Sequence, residues 1–145
     1  MQAMPHHYRV TATAAATGNV DVASPGLPGL VTAPPAEFGG PGNLWAPETL
    51  LVAAVADCFI LTFRAIARAS KLDWVALECG AEGVLDRVDG VTRFTSVTVR
   101  AQLTVPAGAS ESLAGRLLEK AEHGCLVTNS LLAERHLEAT VTVAG

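Results

Sequence analysis

The sequence predicts an α+β fold, and three observations carry that prediction. A long apolar run from Ala46 to about Ser70 has the composition of a central, covered helix. Two alternating runs, Trp74 to Leu85 and Phe94 to Val105, flank the turn pair Asp89-Gly90 and predict a long antiparallel hairpin. An amphipathic pattern from Ser110 to His123 then predicts a second helix. The resulting order, β-β-helix-β-β-helix-helix-β, is an α+β arrangement, expected as antiparallel sheets around a long buried helix.

Each element has a local reason. Alternation over Tyr8 to Ala16, the pair Gly18-Asn19, then Val20 and Val22 predict an N-terminal hairpin. The following stretch, "PGLPGLVTAPPAEFGGPGNLWAP", is too rich in Pro and Gly for regular helix or a central strand. Its Leu27, Leu30, Phe38, Leu44 and Trp45 suggest that it packs on something. Pro47 suits a first helical turn, and Glu48 suits the positive end of the helix dipole. Arg64, Arg68 and Lys71 gather at the other end. Leu113, Leu117, Leu118 and Ala121 define the apolar face of the second helix, which Gly124 breaks. "CLVTNSLLAER" reads as a short third helix and "HLEATVTVA" as a last strand.

The chain has 145 residues, which fits one domain over residues 1–145. Hydrophobic residues make up 50% and charged residues 17%, too apolar for disorder and low enough in charge to suggest apolar surface buried between subunits. A net charge of −4 without a basic cluster argues against nucleic acid or an anionic membrane as partner. The apolar run is interrupted by charge, so no membrane span is expected. The N-terminus lacks the pattern of a secretory signal, and a cytoplasmic protein is expected. Cys58, Cys79 and Cys125 are an odd number, poor material for a disulfide framework, and their spacing matches no zinc pattern.

Cys58 stands in the middle of "LLVAAVADCFILTF". It reads either as a small core hydrophobe or as a reactive thiol. Cys125 follows a Gly at a predicted helix start, where exposed N–H groups favour a thiolate; the alternative is first-turn packing. Cys79 reads as a strand residue. Glu48 lies about 15 Å from Cys58 along a continuous helix at about 1.5 Å per residue. It therefore reaches the Cys58 site of a second subunit, acts through an arginine, or is a helix-start acid. Asp57 would disfavour a thiolate beside it. A metal site of Cys58, Cys125 and His123 is a third reading, against His123 as an exposed helix-end residue.

"APETLLVAAVADCF" and "AEHGCLVTNSL" together resemble the OsmC/Ohr family, the osmotically inducible and organic hydroperoxide resistance proteins. Pro47, Glu48, Leu50, Leu51, Ala53, Ala54, Cys58 and Phe59 fit its first motif; Ala121, Cys125 and Val127 fit its second. The resemblance implies the OsmC-like fold as an intertwined homodimer with active sites at the subunit interface. It implies a thiol peroxidase acting on organic hydroperoxides, with no cofactor and with a lipoyl group or small dithiol as reductant. Cys58 then matches the peroxidatic cysteine, Cys125 the resolving cysteine that forms a disulfide with it, and Glu48 the acid that holds an activating arginine.

Three positions depart from that pattern. No Lys or Arg stands between Val10 and Phe63, where the family's arginine belongs. A substitute cation is sought among Arg9, Arg64, Arg68 and Arg93, with Arg64 preferred and a cross-subunit contact expected for it. Leu126 replaces a Pro, and Asp57 replaces a small residue. The missing arginine supports an alternative, a non-catalytic protein of the same fold that binds a small hydrophobic ligand.

Overall fold

The computed structural model describes residues 1–145 and divides them into two compact units, Met1–Leu50 and Leu51–Gly145. The first unit holds an antiparallel sheet in the order β1 (Thr11–Thr13), β2 (Val20–Ala23), β3 (Leu30–Thr32). The expected hairpin forms, and Gly18 takes a φ of 97° in its loop. Strand β1 is shorter than the alternation suggested, since its pairing ends at Thr13↔Asp21. The Pro/Gly-rich stretch contributes β3, which the sequence did not reveal. That strand lies at the sheet edge, the place where such a segment can pair. One turn of 3-10 helix follows at Ala36–Phe38. Trp45 then returns beside β3, its carbonyl accepting from the Ala33 amide at 3.0 Å.

Helix α1 (Pro47–Ala69) starts where Pro47 predicts. The Thr49 hydroxyl accepts from the Ala46 amide at 2.9 Å and donates to the Ala46 carbonyl at 3.0 Å, closing the first turn. In the second unit the helix ends without a glycine. Lys71 adopts a left-handed φ of 54°. Its amide donates to Arg68 O at 3.2 Å and that of Leu72 to Ala67 O at 3.0 Å, the paired bonds of a Schellman ending.

Strands β4 (Ala76–Val88) and β5 (Val91–Val105) form the predicted long hairpin. Asp89 and Gly90 both have positive φ, 51° and 78°, as a two-residue turn matched to strand twist requires. Helix α2 (Glu111–Gly124) is capped by the Ser110 hydroxyl, which accepts from the Leu113 amide at 3.1 Å. Helix α3 is brief (Leu126–Asn129), and β6 (Glu134–Val143) begins earlier than expected. Glu134 and Arg135 are therefore strand residues. The sheet order is β4-β5-β6, with β6 parallel to β5. An all-antiparallel sheet was expected; the intervening helices form a crossover that brings β6 back in the direction of β5.

Within the second unit, Val55, Phe59, Phe63 and Ala67 form one buried stripe at four-residue spacing. The stripe shares a core with Val97, Val99, Ala101, Leu103 and Val105, the alternate residues of β5, and with Leu117, Leu118 and Ala121 of α2. Each such Val, Leu or Phe stabilises the fold by about 1.5–3 kcal/mol on burial. Phe63 also meets Trp74 edge to face, with ring centroids 5.5 Å apart.

A central, covered helix was expected; within the single chain it is fully buried along that stripe and half-buried over much of the rest. By length and composition α1 is apolar enough to cross a membrane, with Asp57 as the charge that interrupts its apolar run. Its packed stripe is the behaviour of a core helix.

Candidate active site

The site is built where the corner between α2 and α3 meets the middle of α1. Gly124 permits the approach: a Cβ there would lie 3.3 Å from Thr62 Cγ2. Cys125, fully buried, is the residue between the two helices and caps α3. Its Sγ accepts a hydrogen bond from Thr128 Oγ1 at 3.3 Å. Cys58 projects from α1 towards this corner. Its Sγ lies 3.8 Å from Thr62 Oγ1, one turn along the helix. The Cys58 and Cys125 thiols influence one another's ionisation, which places the two sequence-predicted cysteines in one neighbourhood.

The electrostatics separate the two thiols. Burial pushes the Cys58 thiol up. The Val127 amide, the Cys125 thiol, the Thr62 hydroxyl and the Leu126 amide together outweigh burial, and the net shift is down. Cys125 moves the opposite way. Burial raises it, Thr128 pulls it down in part, and proximity to Cys58 raises it further. The sequence assigned the helix-start amides to Cys125; the Thr128 amide does pull Cys125 down, while those of Val127 and Leu126 act on Cys58. Burial, with help from Cys125 and Glu122, pushes Cys79 up to about 11. At neutral pH a thiol-alkylating reagent is therefore expected to modify Cys58 first and leave Cys79 intact, checked by peptide mass spectrometry.

The Cys58 sulfur opens into an apolar groove of about 560 Å³. Ala54, Leu61, Ala65, Ile66, Leu126 and Val127 supply its walls, and Asp57 stands at the same groove. Leu61 and Leu126 are exposed in the single chain. Arg64 is exposed on α1 and is not among the groove residues, and no cation contributes to the Cys58 shift. Within the single chain, the groups that lower the Cys58 thiol are hydrogen-bond donors. Glu48 is half-buried near the start of α1, and its Oε1 is buried without a hydrogen-bond partner. His123 is exposed, and no three metal-binding side chains converge in the chain. Thr62 and Thr128 were missed. Thr62 was legible in principle, four residues beyond Cys58 on the same helix face.

The model of the OsmC-like protein family matches residues 40–140. This chain belongs to the OsmC-like family. The OsmC-like chain is 31% identical over 116 residues to the uncharacterized protein YmaD of Bacillus subtilis, covering 77% of each chain. It is 29% identical over 92 residues to the peroxiredoxin OsmC of Escherichia coli, covering 63% of this chain and 64% of that one. Among solved structures, an OsmC-like protein of unknown function from Vibrio cholerae superposes with a TM-score of 0.84 at 19% identity, over 94% of this chain and 100% of the other. An organic hydroperoxide resistance protein from Legionella pneumophila does so with a TM-score of 0.76 at 25% identity, over 97% and 99%. The fold is thus the OsmC-like α+β fold that the two motifs implied.

Proposed function

We propose that the protein is a thiol-dependent peroxidase that reduces organic hydroperoxides through Cys58. One observation carries the reading: a thiol lowered by four hydrogen-bond donors lies beside a second thiol at an apolar groove. The peroxiredoxin and hydroperoxide resistance relatives support it.

The Cys58 thiolate attacks the terminal peroxide oxygen. The O–O bond breaks, an alcohol leaves after protonation, and Cys58 becomes a sulfenic acid. The Cys125 sulfur then attacks the Cys58 sulfur, water leaves, and a Cys58–Cys125 disulfide forms. A dithiol or lipoyl reductant restores both thiols by exchange and is itself oxidised to a disulfide. The apolar groove favours alkyl or lipid hydroperoxides over hydrogen peroxide.

The reading includes a single OsmC-like domain, which the matched region supports by crossing the boundary between the two units, and a homodimer of such domains. A second copy covers the exposed apolar faces of α1. It also brings a partner for Glu48, and Arg64 is then available as a cross-subunit cation. Three free thiols suit a reducing, cytoplasmic setting.

The test is a stoichiometry. One equivalent of cumene hydroperoxide should lower the free thiols from three per chain to one, leaving Cys79. Unchanged thiols with a copurifying apolar ligand would favour the binding-protein alternative. Asp57 should also shape substrate choice, since its carboxylate repels an anionic substrate entering the groove. Asp57→Asn is expected to speed turnover of a fatty-acid hydroperoxide about fivefold at low salt, from a like-charge term of about 1 kcal/mol. Turnover of neutral cumene hydroperoxide should change little. Initial rates on both substrates at low and high salt check this.

A further inference from the structure

The corner that carries the Leu126 and Val127 amides is held from outside the site by one guanidinium. Arg135 stands on β6, paired in register with Val97 of the central strand β5. Its Nε donates to Glu122 Oε1 at 2.7 Å, and its Nη2 donates to the Glu122 carbonyl. Its Nη1 donates to Asn129 Oδ1 at 2.6 Å. Asn129 Nδ2 in turn donates to the His123 carbonyl at 3.2 Å. Glu122 is in the last turn of α2 and Asn129 is the last residue of α3, so Arg135 grips both sides of the corner.

The grip is strongly determined. Glu122 is 6% exposed, and a carboxylate near a helix C-terminus is disfavoured by the dipole unless a cation meets it. Its Oε2 has no hydrogen-bond partner, so Arg135 is the group that compensates its charge. The planar fork of arginine can reach a carboxylate, a carbonyl and an amide oxygen together; a lysine ammonium is a point charge without that geometry. Between the clamped residues lie Cys125, Leu126 and Val127.

We infer that Arg135 is a positioning residue for the Cys58 thiol: by bonding Glu122 and Asn129 together it locks the α2–α3 corner that presents two backbone amides to the sulfur. The inference rests on the reading of Cys58 as the reactive thiol. Hydrogen bonds to an anion depend steeply on distance and angle, so a corner that rocks loses donor strength at the sulfur before it loses the fold.

The experiment measures the pH dependence of Cys58 alkylation by iodoacetamide in the reduced full-length protein, quantified on the Cys58 peptide, over about pH 5 to 9. Arg135→Gln is expected to move the midpoint up and slow alkylation about tenfold below it. Arg135→Lys should resemble Arg135→Gln. Lysine behaving like arginine would mean a charge effect and would overturn positioning. Asn129→Ala leaves the Arg135–Glu122 pair in place and should slow alkylation about threefold; it decides the matter if Arg135→Gln does not fold. Arg100→Gln, which removes only the exposed pairs with Glu82 and Glu138, should leave the profile unmoved. A midpoint unmoved in the folded Arg135 and Asn129 variants overturns this inference alone. A wild-type midpoint at the ordinary cysteine value overturns the peroxidase reading as well.

Discussion

Replacing Cys58 by serine is expected to abolish hydroperoxide turnover, by a factor on the order of 10³ or more. A serine hydroxyl keeps its proton at neutral pH, and the four donors that favour a thiolate have no anion to hold. Cys125→Ser should behave differently. Without a reductant its protein keeps the Cys58 nucleophile, consumes about one equivalent of peroxide per chain, and stops as a sulfenic acid that a dimedone probe traps. Peroxide loss with a dithiol present, followed for wild type and both variants, separates the two roles. Equal slow consumption by all three proteins would sink the peroxidase reading in favour of a ligand-binding one.

On the peroxidase reading, Leu126→Pro should slow hydroperoxide turnover severalfold at neutral pH while leaving the fold in place. Leu126 is the first residue of α3, a position where proline's fixed φ suits a helix and no ladder hydrogen bond is lost. Cys125 before it has φ −65° and ψ 107°, the extended region that a residue preceding proline prefers. The substitution therefore removes little except one N–H directed at Cys58. A hydrogen bond contributes about 0.5–1.5 kcal/mol net and about 1.4 kcal/mol is a tenfold change, so this donor, the smallest of the four acting on Cys58, gives a severalfold effect. The sign follows from the ionisation. Losing a donor to the thiolate raises the Cys58 pKa, so less thiolate is present at neutral pH. The difference should vanish at alkaline pH, where both proteins are fully ionised. Leu126→Ala keeps the amide and should match wild type. Identical pH–rate profiles for the proline and alanine variants would exclude the Leu126 amide from thiolate stabilisation. The departure from the family motif at this position thus adds a donor that proline lacks.

Several elements were legible because a local rule governs them. Asp89-Gly90 marks its turn because few residues accept positive φ in succession. Pro47 marks the start of α1, and Ser110 caps α2, because each satisfies or excuses an orphan amide. Other features gave way to tertiary demands. The residues Leu131 to Arg135 carry a helical composition, yet β6 claims Glu134 and Arg135 for pairing with β5 and for the bond to Glu122. Strand β3 was hidden because its three residues sit among prolines and glycines, and only pairing to β2 makes them a strand. The search for a cation beside Cys58 looked to side-chain charge, whereas the donors the structure supplies include two backbone amides, which carry no sequence signature.

Residue identity and spacing were enough to specify the α+β class, the central helix and the long hairpin, since periodicity, capping and turn chemistry are local properties; the pairing of Cys58 with Cys125 was implied only by the resemblance to the family. Which thiol is the acidic one was beyond their reach. That depends on where the first amides of α3 point and on how Gly124 lets the corner descend onto Thr62. Hydrogen bonds to an anion act over about 3 Å between groups far apart in the chain, and packing alone brings those groups together.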